Sequence, residues 1–270
     1  MSTVTWVLES EVFPKSHQSL RDAICTAGHQ VVDWSDTWWQ DGIPCRIGGG
    51  PTVFHGSLAN AAAINSQLSW NPGSFCDAPT FNCSNWFNSA REWLLHTDWE
   101  ILAANEFVES AASVCKQLGC GDQVFVRPDS PLKPFSGRVL NVGEVSLAAL
   151  DYGFYFEDDA LPIVVAPVRE IGREWRFVVV RSRIIAGSAY NASTRSAISD
   201  EPASSAWKFA DTVAASLPAP SDVYVLDICE TDGALRLLEI NPFGGADLYA
   251  CDAEEIVRHV SRIALMQIAS

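Results

Sequence analysis

The stretch Asp222–Gly245, DVYVLDICETDGALRLLEINPFGG, decides how the second half of the chain folds. Two apolar, strand-forming runs flank the turn sequence TDG at 231–233, so the stretch predicts an antiparallel hairpin. Folding about that turn places Asp227 roughly opposite Glu239. The two-residue period of a strand places Asn241 on the same face as Glu239. The hairpin is therefore expected to gather three polar side chains at one point.

Two facing carboxylates repel each other unless positive charge lies between them. Asp, Glu and Asn side chains together offer the oxygen ligands that suit Mg²⁺ or Mn²⁺. The alternative is a solvated acidic hairpin, and spacing alone does not separate the two interpretations. Both acids lie inside apolar runs, VYVLDIC and LRLLEIN, where an uncompensated charge is costly to bury. The sequence therefore favours a metal site made by Asp227, Glu239 and Asn241.

Composition limits the class of protein. The chain has 270 residues, 48% of them hydrophobic, and ten tryptophans, which indicates a folded protein of one large domain or two smaller ones. A formal net charge of −15 argues against a DNA or RNA partner, because phosphate backbones need clustered Lys and Arg. No apolar run approaches the roughly 18–20 residues of a membrane span. The N-terminus lacks the pattern of a signal peptide, which predicts a cytoplasmic protein.

The cysteines and histidines do not indicate a metal or thiol centre. None of the eight cysteines forms a CxxC pair, so reduced thiols, several of them in the core, are expected. The five histidines are scattered and form no HExxH motif. A zinc site is therefore disfavoured.

The first part of the chain has the pattern of a small α/β unit. The predicted strands and helices, in chain order, are Thr3–Leu8, Ser16–Ala27 (helix), Gln30–Trp34, Thr52–Phe54 and Leu58–Leu68 (helix). The glycine-rich run Arg46–Pro51 is interpreted as a loop. The sequence HGS at 55–57 is either a ligand loop or an ordinary βα turn, and the ordinary turn is favoured.

The rest of the chain alternates less regularly. A loop is predicted over Trp70–Ser89 and a helical region from about Asn88 to Leu118. Later predictions, in chain order, are a strand Val124–Arg127, a loop Asp129–Gly137, a meander of strands Ile163–Arg169, Glu174–Val180 and Ile184–Tyr190, a polar linker Asn191–Pro202, a helix Ser204–Leu217, the hairpin, and a last helix with a capping box at Asp252 and Glu255.

Cations precede the carboxylates in the second half. Arg127 and Lys133 lie in VFVRPDSPLKPFSG, where both could reach phosphates, although either alone is more often a solvated group. Arg176 alternates with Glu174 on one face of a strand. The alternative for that pair is an ion pair worth at most about 1 kcal/mol.

This order of elements resembles the ATP-grasp superfamily over about Val124 to Tyr249. VYVLDI…LRLLEINPFGG is similar to its metal-binding end, D…ExNP, and FVRPDSPLKPFSG resembles the clade in which Arg and Lys have exchanged places among the nucleotide-binding positions. The resemblance implies a mixed α/β (α+β) ATP-grasp fold. It divides the chain into a pre-ATP-grasp α/β domain over 1–105 and an ATP-grasp nucleotide-binding and catalytic region over 106–270.

The resemblance also implies that ATP and Mg²⁺, with Mn²⁺ possible, are bound. Asp227, Glu239 and Asn241 would hold the metal against the β- and γ-phosphates. Arg127 would take the place of the usual first phosphate-binding lysine, and Lys133 would contact phosphate from the flexible loop.

Further positions follow from the same resemblance. Ala166, Pro167 and Val168 would form the linker strand that meets adenine, with Val168 N–H or a neighbouring carbonyl as its partner because proline has no amide proton. Glu170 would lie near the ribose, and Arg176 near the γ-phosphate or the incoming carboxylate.

One position departs from the pattern. Many relatives carry a further Arg on the strand where this chain has Ser188, Ala189 and Tyr190. The expectation is that Lys208 on the next helix replaces that charge, so Arg176, Lys133 and Lys208 are the predicted catalytic residues.

The implied activity is that of an ATP-dependent carboxylate–amine ligase, acting on small-molecule or peptide substrates through an acyl phosphate. A small-molecule kinase on the same fold, a non-catalytic nucleotide-binding module and an α/β protein without a nucleotide site are the alternatives. The acceptor and the oligomeric state stay open, although His55, Ser57 and the tryptophan-rich stretches Trp34–Trp39 and Trp86–Trp99 could shape the acceptor pocket.

Overall fold

The structure is a computed structural model and describes residues 3–45, 47–151, 158–194, 196–198 and 202–268. Its strands are β1 Thr5–Leu8, β2 Gln30–Asp33, β3 Pro51–His55, β4 Asn71–Gly73, β5 Glu100–Ala103, β6 Gln123–Pro128, β7 Arg138–Asn141, β8 Pro162–Pro167, β9 Glu174–Val180, β10 Arg183–Asn191, β11 Ser196–Ala197, β12 Val223–Thr231 and β13 Ala234–Pro242. Its α-helices are α1 Pro14–Thr26, α2 Trp38–Asp41, α3 Leu58–Gln67, α4 Cys83–Ala90, α5 Ala104–Leu118, α6 Leu147–Asp151, α7 Ser204–Ser216 and α8 Ala253–Ile268. Short 3₁₀ turns lie at Ala78–Phe81, Val142–Glu144 and Phe243–Gly245.

The first sheet, called here the N-terminal sheet, has the strand order β2-β1-β3-β4, with every pairing parallel. Parallel strands require crossovers, and α1 and α3 provide two of them. Proline fits the first turn of α1, and Gly28 follows its end with a φ of 74°. The α/β unit predicted for the first part of the chain is confirmed.

The second sheet, the large sheet, is antiparallel with the order β11-β10-β9-β12-β13. The predicted hairpin is β12–β13, and Asp227 stands opposite Glu239 in its register. Asp232 and Gly233 both have positive φ, 51° and 72°, as a tight two-residue hairpin turn requires. A bulge follows Asp227 and separates the polar end of the hairpin from its turn.

The third sheet, the small sheet, has the order β5-β8-β6-β7. The predicted meander is wrong in its first strand, because β8 pairs with β5 and β6 rather than with β9. Ile163 and Val165 of β8 pack under α5 in a core of their own. A run of strands in sequence does not define a sheet when each strand has its own apolar layer to cover.

The region before α5 also differs from the prediction. The predicted helix over Asn88–Leu118 is helical only in α4 and α5, since residues 100–103 form β5 on the edge of the small sheet. The predicted loop Trp70–Ser89 contains β4 and most of α4. Partners far along the chain stabilise these elements: β8 pairs with β5, and the Asp129 carboxylate accepts hydrogen bonds from Ser84 N and Oγ in the first turn of α4.

The two faces of the large sheet are covered differently. On one face Phe177, Val179 and Tyr224 pack against α7. On the other face Val178 and Val225 pack against α1 and α8. The period of two puts Arg176 and Asp227 on this second face, beyond the end of its apolar cover.

Three sequence-based expectations lie partly outside the described residues, namely Arg46 in the glycine-rich run, the start of the first strand, and Arg195 with 199–201 in the polar linker. Across the described part of the chain, no helix is long and apolar enough to cross a membrane.

Candidate active site

The Asp227 side chain is held within the large sheet. Asp227 on β12 and Arg176 on β9 are register partners. The guanidinium donates from Nε to Oδ1 at 2.8 Å and from Nη2 to Oδ2 at 2.7 Å. Arg176 also donates from Nη1 to the Asp247 carbonyl at 2.8 Å. Arg176 is 9% exposed and Asp227 1% exposed, so this is a buried, forked ion pair.

Glu239 is held from outside its own sheet. Arg127 at the end of β6 in the small sheet donates from Nη2 to Oε1 at 2.6 Å, and Lys133 Nζ lies 2.9 Å from the carboxylate. Burial raises the pKa of Glu239, but Lys133 and Arg127 outweigh that effect and hold the pKa well below its usual range. The carboxylate is therefore charged and bridges two parts of the fold.

Asn241 joins the two carboxylates. Its Nδ2 donates to Asp227 Oδ2 at 3.2 Å and to Glu239 Oε2 at 2.9 Å. The structure thus brings together six of the predicted site residues: Arg127, Lys133, Arg176, Asp227, Glu239 and Asn241.

This donor set suits a hard divalent cation. Two carboxylates and an amide lie within hydrogen-bond distance of one another, and a rotation of the Asn241 amide would present its oxygen in place of its nitrogen. The residues that the structure describes include no cluster of three or more His, Cys, Asp or Glu side chains with metal-ligand geometry. Further ligands would therefore have to come from a bound phosphate or water.

The predicted linker strand lies at the other end of the small sheet. Ala166 is fully buried, whereas Pro167 and Val168 line a cleft of about 710 Å³ together with Asp98. Glu170 is exposed just beyond them. The structure places this group away from the carboxylates, at the opposite end of β6.

Lys208 does not join the cluster. It is exposed on α7, the helix that covers the face of the large sheet opposite Asp227 and Arg176. The expectation that Lys208 replaces a strand arginine therefore has no support from its position. Ser188, at the strand position itself, accepts from Ala250 N and donates to the Ala189 carbonyl.

Two tyrosines beside Arg176 were missed in the sequence. The rings of Tyr190 and Tyr249 stack in parallel, 4.7 Å apart, and the guanidinium lies 5.5 and 5.1 Å from their centres. Glu174 accepts from the Tyr190 hydroxyl at 2.9 Å, so the ion-pair partner of Arg176 is Asp227 and not Glu174. Tyr190 could have been found from the strand period, because it shares a face with Ser188.

A second cleft, of about 650 Å³, opens next to Arg176 and Asn241. Its lining residues come from the loop before α1, the 3₁₀ turn after β13, the end of β10 and the loop that carries Lys133. They include Phe13, Lys15, Lys133, Tyr190, Asp247 and Tyr249. Positive, negative and aromatic groups therefore meet in one cavity.

The sequence HGS at 55–57 behaves as an ordinary βα turn. His55 is buried, and its Nδ1 lies 2.8 Å from His17 Nε2. Ser57 Oγ accepts from Asn60 N and so caps α3, while Ser57 N donates to Glu9 Oε2. The favoured interpretation of this turn agrees with the structure.

The loop Asp129–Gly137 is fixed at its start. Asp129 accepts from Ser84 N at 2.7 Å and from Ser84 Oγ at 2.9 Å, while its own backbone carbonyl accepts from Cys83 N. Lys133 lies four residues further along, with a φ of 50°. No local sequence signal links Asp129 to α4, which is why this anchor was not predicted.

Comparison with known proteins agrees with the architecture. The fold resembles D-cycloserine synthetase DcsG, with a TM-score of 0.63 at 13% identity, covering 97% of this chain and 99% of that one. It resembles D-alanine–D-alanine ligase from Bacillus anthracis, in complex with ATP, with a TM-score of 0.63 at 11% identity, covering 100% and 99%. It resembles the ATP-grasp ligase PsnB, in complex with a minimal precursor, with a TM-score of 0.59 at 12% identity, covering 97% and 99%.

At these identities the structural matches show the fold, and no curated protein matches the sequence significantly. A family model for the ATP-grasp domain, family 2 of the Arg-to-Lys clade, matches residues 97–259. That range is more than half of the chain and contains the six clustered side chains. The chain therefore belongs to the ATP-grasp family and, within it, to the Arg-to-Lys clade.

Proposed function

We propose that the protein is an ATP-dependent carboxylate–amine ligase that forms an amide or peptide bond through an acyl phosphate. The observation that carries the proposal is the wall of Asp227, Glu239 and Asn241, neutralised by basic groups and adjoining a cleft large enough for a second substrate. Residues 1–105 would form the pre-ATP-grasp domain and residues 106–270 the ATP-grasp region. A cytoplasmic location is part of the same proposal.

The triphosphate would bind where cations already meet carboxylates. Arg127 offers a fork to phosphate oxygens from a rigid strand, and Lys133 offers a point charge from a loop. Lys133 is 38% exposed, so it can move from Glu239 to a phosphate with little loss of packing. Asp227, Glu239 and Asn241 would hold Mg²⁺, or Mn²⁺, which supplies charge neutralisation at the β- and γ-phosphates.

The base and ribose would occupy the other end of β6. Adenine would meet Ala166, Pro167 and Val168, with the Val168 N–H as donor because Pro167 has none. Glu170 is placed to reach the ribose. Val124, which pairs with Pro167, lies three residues from Arg127, a strand distance of about 10 Å that fits the span from base to phosphates.

The first chemical step would join the substrate carboxylate to phosphorus. A carboxylate oxygen attacks the γ-phosphorus, the bond from γ-phosphorus to the bridging oxygen breaks, and ADP leaves with that electron pair. Arg176 has one edge committed to Asp227 and lies at the wall of the 650 Å³ cleft, where it can stabilise the negative charge of the transferring group.

The second step would make the amide. The amine attacks the acyl carbon, loses a proton, and inorganic phosphate leaves. An acyl phosphate hydrolyses in water, so the loop Asp129–Gly137, anchored by Asp129 and carrying Lys133, is assigned the task of closing the site. Lys208 has no part in this mechanism, because it lies on the opposite face of the sheet.

The second substrates are proposed as a chemical class. D-cycloserine synthetase, D-alanine–D-alanine ligase and PsnB with its precursor are similar folds named for small amino-acid-like or peptide substrates. The 650 Å³ cleft, with Lys15 and Asp247 on its walls, fits a molecule that carries both a carboxylate and an amine.

The test is ADP release from Mg-ATP in the presence of pooled carboxylates and amines, with product masses recorded. A ligase releases ADP only when both pools are present. ADP formation with a stable phosphorylated product and no amine requirement would instead identify a kinase. Asp227→Asn and Glu239→Gln should abolish turnover, whereas Glu109→Gln, on the exposed side of α5, should leave it unchanged.

A further inference from the structure

Two clefts lie at the ends of the same strand and do not join. One is lined by Pro167 and Val168, and the other by Lys133, Arg176 and Asn241. In the register of the small sheet, Val124 is beside Pro167 and Phe125 is beside Ala166. The side chains of Phe125 and Arg127 point away from the α5 core, toward the large sheet. A molecule that joined the two clefts would pass over the ring of Phe125.

The imidazole of His96 occupies that position. It stacks on Phe125 with ring centres 4.9 Å apart and an interplanar angle of 13°. It also lies against the backbone carbonyl of Pro167, at the predicted linker strand. The side chain is 8% exposed, and its Nδ1 is buried without a hydrogen-bond partner.

We propose that the His96 ring is a stand-in for the nucleobase, and that a nucleoside triphosphate must displace it to bind. This inference rests on the proposed function. A flat ring on Phe125, bonded to the carbonyl of the linker strand, makes the two contacts that a purine with an exocyclic amino group would make there. His96 therefore sets the affinity for nucleotide without contacting the phosphates.

A histidine kept only for packing would be expected to satisfy both ring nitrogens. The buried Nδ1 of His96 has no partner, which costs roughly 1–3 kcal/mol and weakens the packed position. The ring is thus held in the slot by stacking and one carbonyl contact, both of which a base can replace.

The chain around His96 is built for a local movement. Before it, Leu95 N donates to the Leu237 carbonyl and Leu237 N donates to the Trp93 carbonyl, so the segment is tied to β13. After it, Thr97 and Asp98 are exposed, and their side chains bond to each other. The tie on one side and the loose segment on the other allow the ring to swing out while the backbone before it stays paired.

Displacement lowers the apparent affinity by the fraction of molecules whose slot is open. His96→Ala opens the slot permanently. We expect this variant to bind Mg-ATP about tenfold more tightly than the natural protein, with faster association, by calorimetry and stopped-flow. His259→Ala, which changes a histidine on α8, is the matched control and should bind as the natural protein does.

Hydrogen exchange on the unaltered protein provides a second readout that needs no variant. Saturating Mg-ATP should increase exchange in residues 93–99, since the ring leaves its site, while exchange at Arg127 and Glu239 decreases. Protection of 93–99 together with weaker binding by His96→Ala would overturn the proposal, because the ring would then be a ligand of the base.

The outcomes separate this inference from the proposed function. Equal binding of Mg-ATP by the natural protein and by His96→Ala would overturn the displacement while leaving a nucleotide-binding enzyme intact. Binding by neither, at millimolar Mg-ATP and with both proteins folded, would overturn the nucleotide site itself and the displacement with it.

Discussion

The Asp227 side and the Glu239 side of one hairpin solve the same problem in different ways. Both carboxylates are largely removed from water and both are neutralised by arginine. Asp227 takes its Arg176 from the next strand of its own sheet, in register, with two hydrogen bonds. Glu239 takes Arg127 from another sheet and Lys133 from a loop.

The difference separates rigidity from exchange. The Asp227 pair cannot part without breaking the large sheet, so it fixes the wall of the site. The Glu239 contacts join two sheets and a loop, so they can open and close as phosphates arrive. We therefore expect changes on the Asp227 side to cost stability, and changes on the Glu239 side to cost function.

The largest effect on stability is expected from Arg176→Met. It leaves the Asp227 carboxylate, 1% exposed, without its cation, and removing one partner of a buried pair costs about 3–5 kcal/mol. Urea unfolding followed by circular dichroism measures the loss. Arg183→Met, an exposed arginine on β10, is the control. A loss below about 1 kcal/mol would mean that Asp227 is not held as rigidly as the structure indicates.

Acid should separate the two sides of the comparison from the histidine slot. Burial, followed by the charge of Arg169, lowers the pKa of His96 from 6.5 to about 4, so the unfolded chain binds the proton first and stability falls as pH drops from 6.5 toward 4. The loss is up to about 3 kcal/mol. The pKa of Glu239 is lowered, so its contribution is complete above its ordinary pKa and is lost only as the pH falls below it.

Unfolding curves between pH 7 and pH 4 test this sign. His96→Phe should flatten the dependence, although His17 and His55, whose pKa values burial also lowers, retain a slope in the same direction. A dependence unchanged by His96→Phe would show that the ring is solvated in the native protein.

On the Glu239 side, Arg127→Met should have a smaller effect on stability, about 1–3 kcal/mol, because Lys133 still faces the carboxylate. It should nevertheless weaken Mg-ATP binding at least 100-fold, since the fork that would hold the phosphates is gone. Calorimetry with Arg183→Met as the control checks both halves of this expectation. Loss of fold without loss of binding in the folded fraction would contradict it.

The smallest effect on stability is expected from Lys133→Ala. An ion pair whose lysine is 38% exposed contributes less than about 1 kcal/mol. ADP formation should still fall at least tenfold, because the loop loses its phosphate contact. Lys116→Ala, on the exposed side of α5, should change neither quantity. An unchanged rate would remove Lys133 from the site.

Features that depend on local contacts could be predicted from the sequence. The hairpin turn, the register of Asp227 with Glu239 and the face shared with Asn241 follow from residues fewer than twenty apart. Features whose partner lies far along the chain could not be predicted. α4 needs Asp129 at its first turn, and β5 needs β8 beside it, and neither need is visible in its own sequence.

The resemblance to a family added what periodicity could not. It placed Arg127 and Lys133 with the carboxylates, and the structure joins them across 112 and 106 residues of sequence. It also suggested Lys208 as a replacement cation, and there the structure disagrees. A helix that follows a strand can cover either face, so order along the chain does not determine the face on which a side chain lies.

By itself the sequence determined the strands, their turn and the two acids that must be neutralised, because strand period and turn chemistry act within a few residues. Only the tertiary structure decided which cation serves which acid, that Tyr190 and Tyr249 stack beside Arg176, and that His96 lies on Phe125. Those outcomes depend on how three sheets pack against one another, and that packing is set by apolar surface summed over the whole chain.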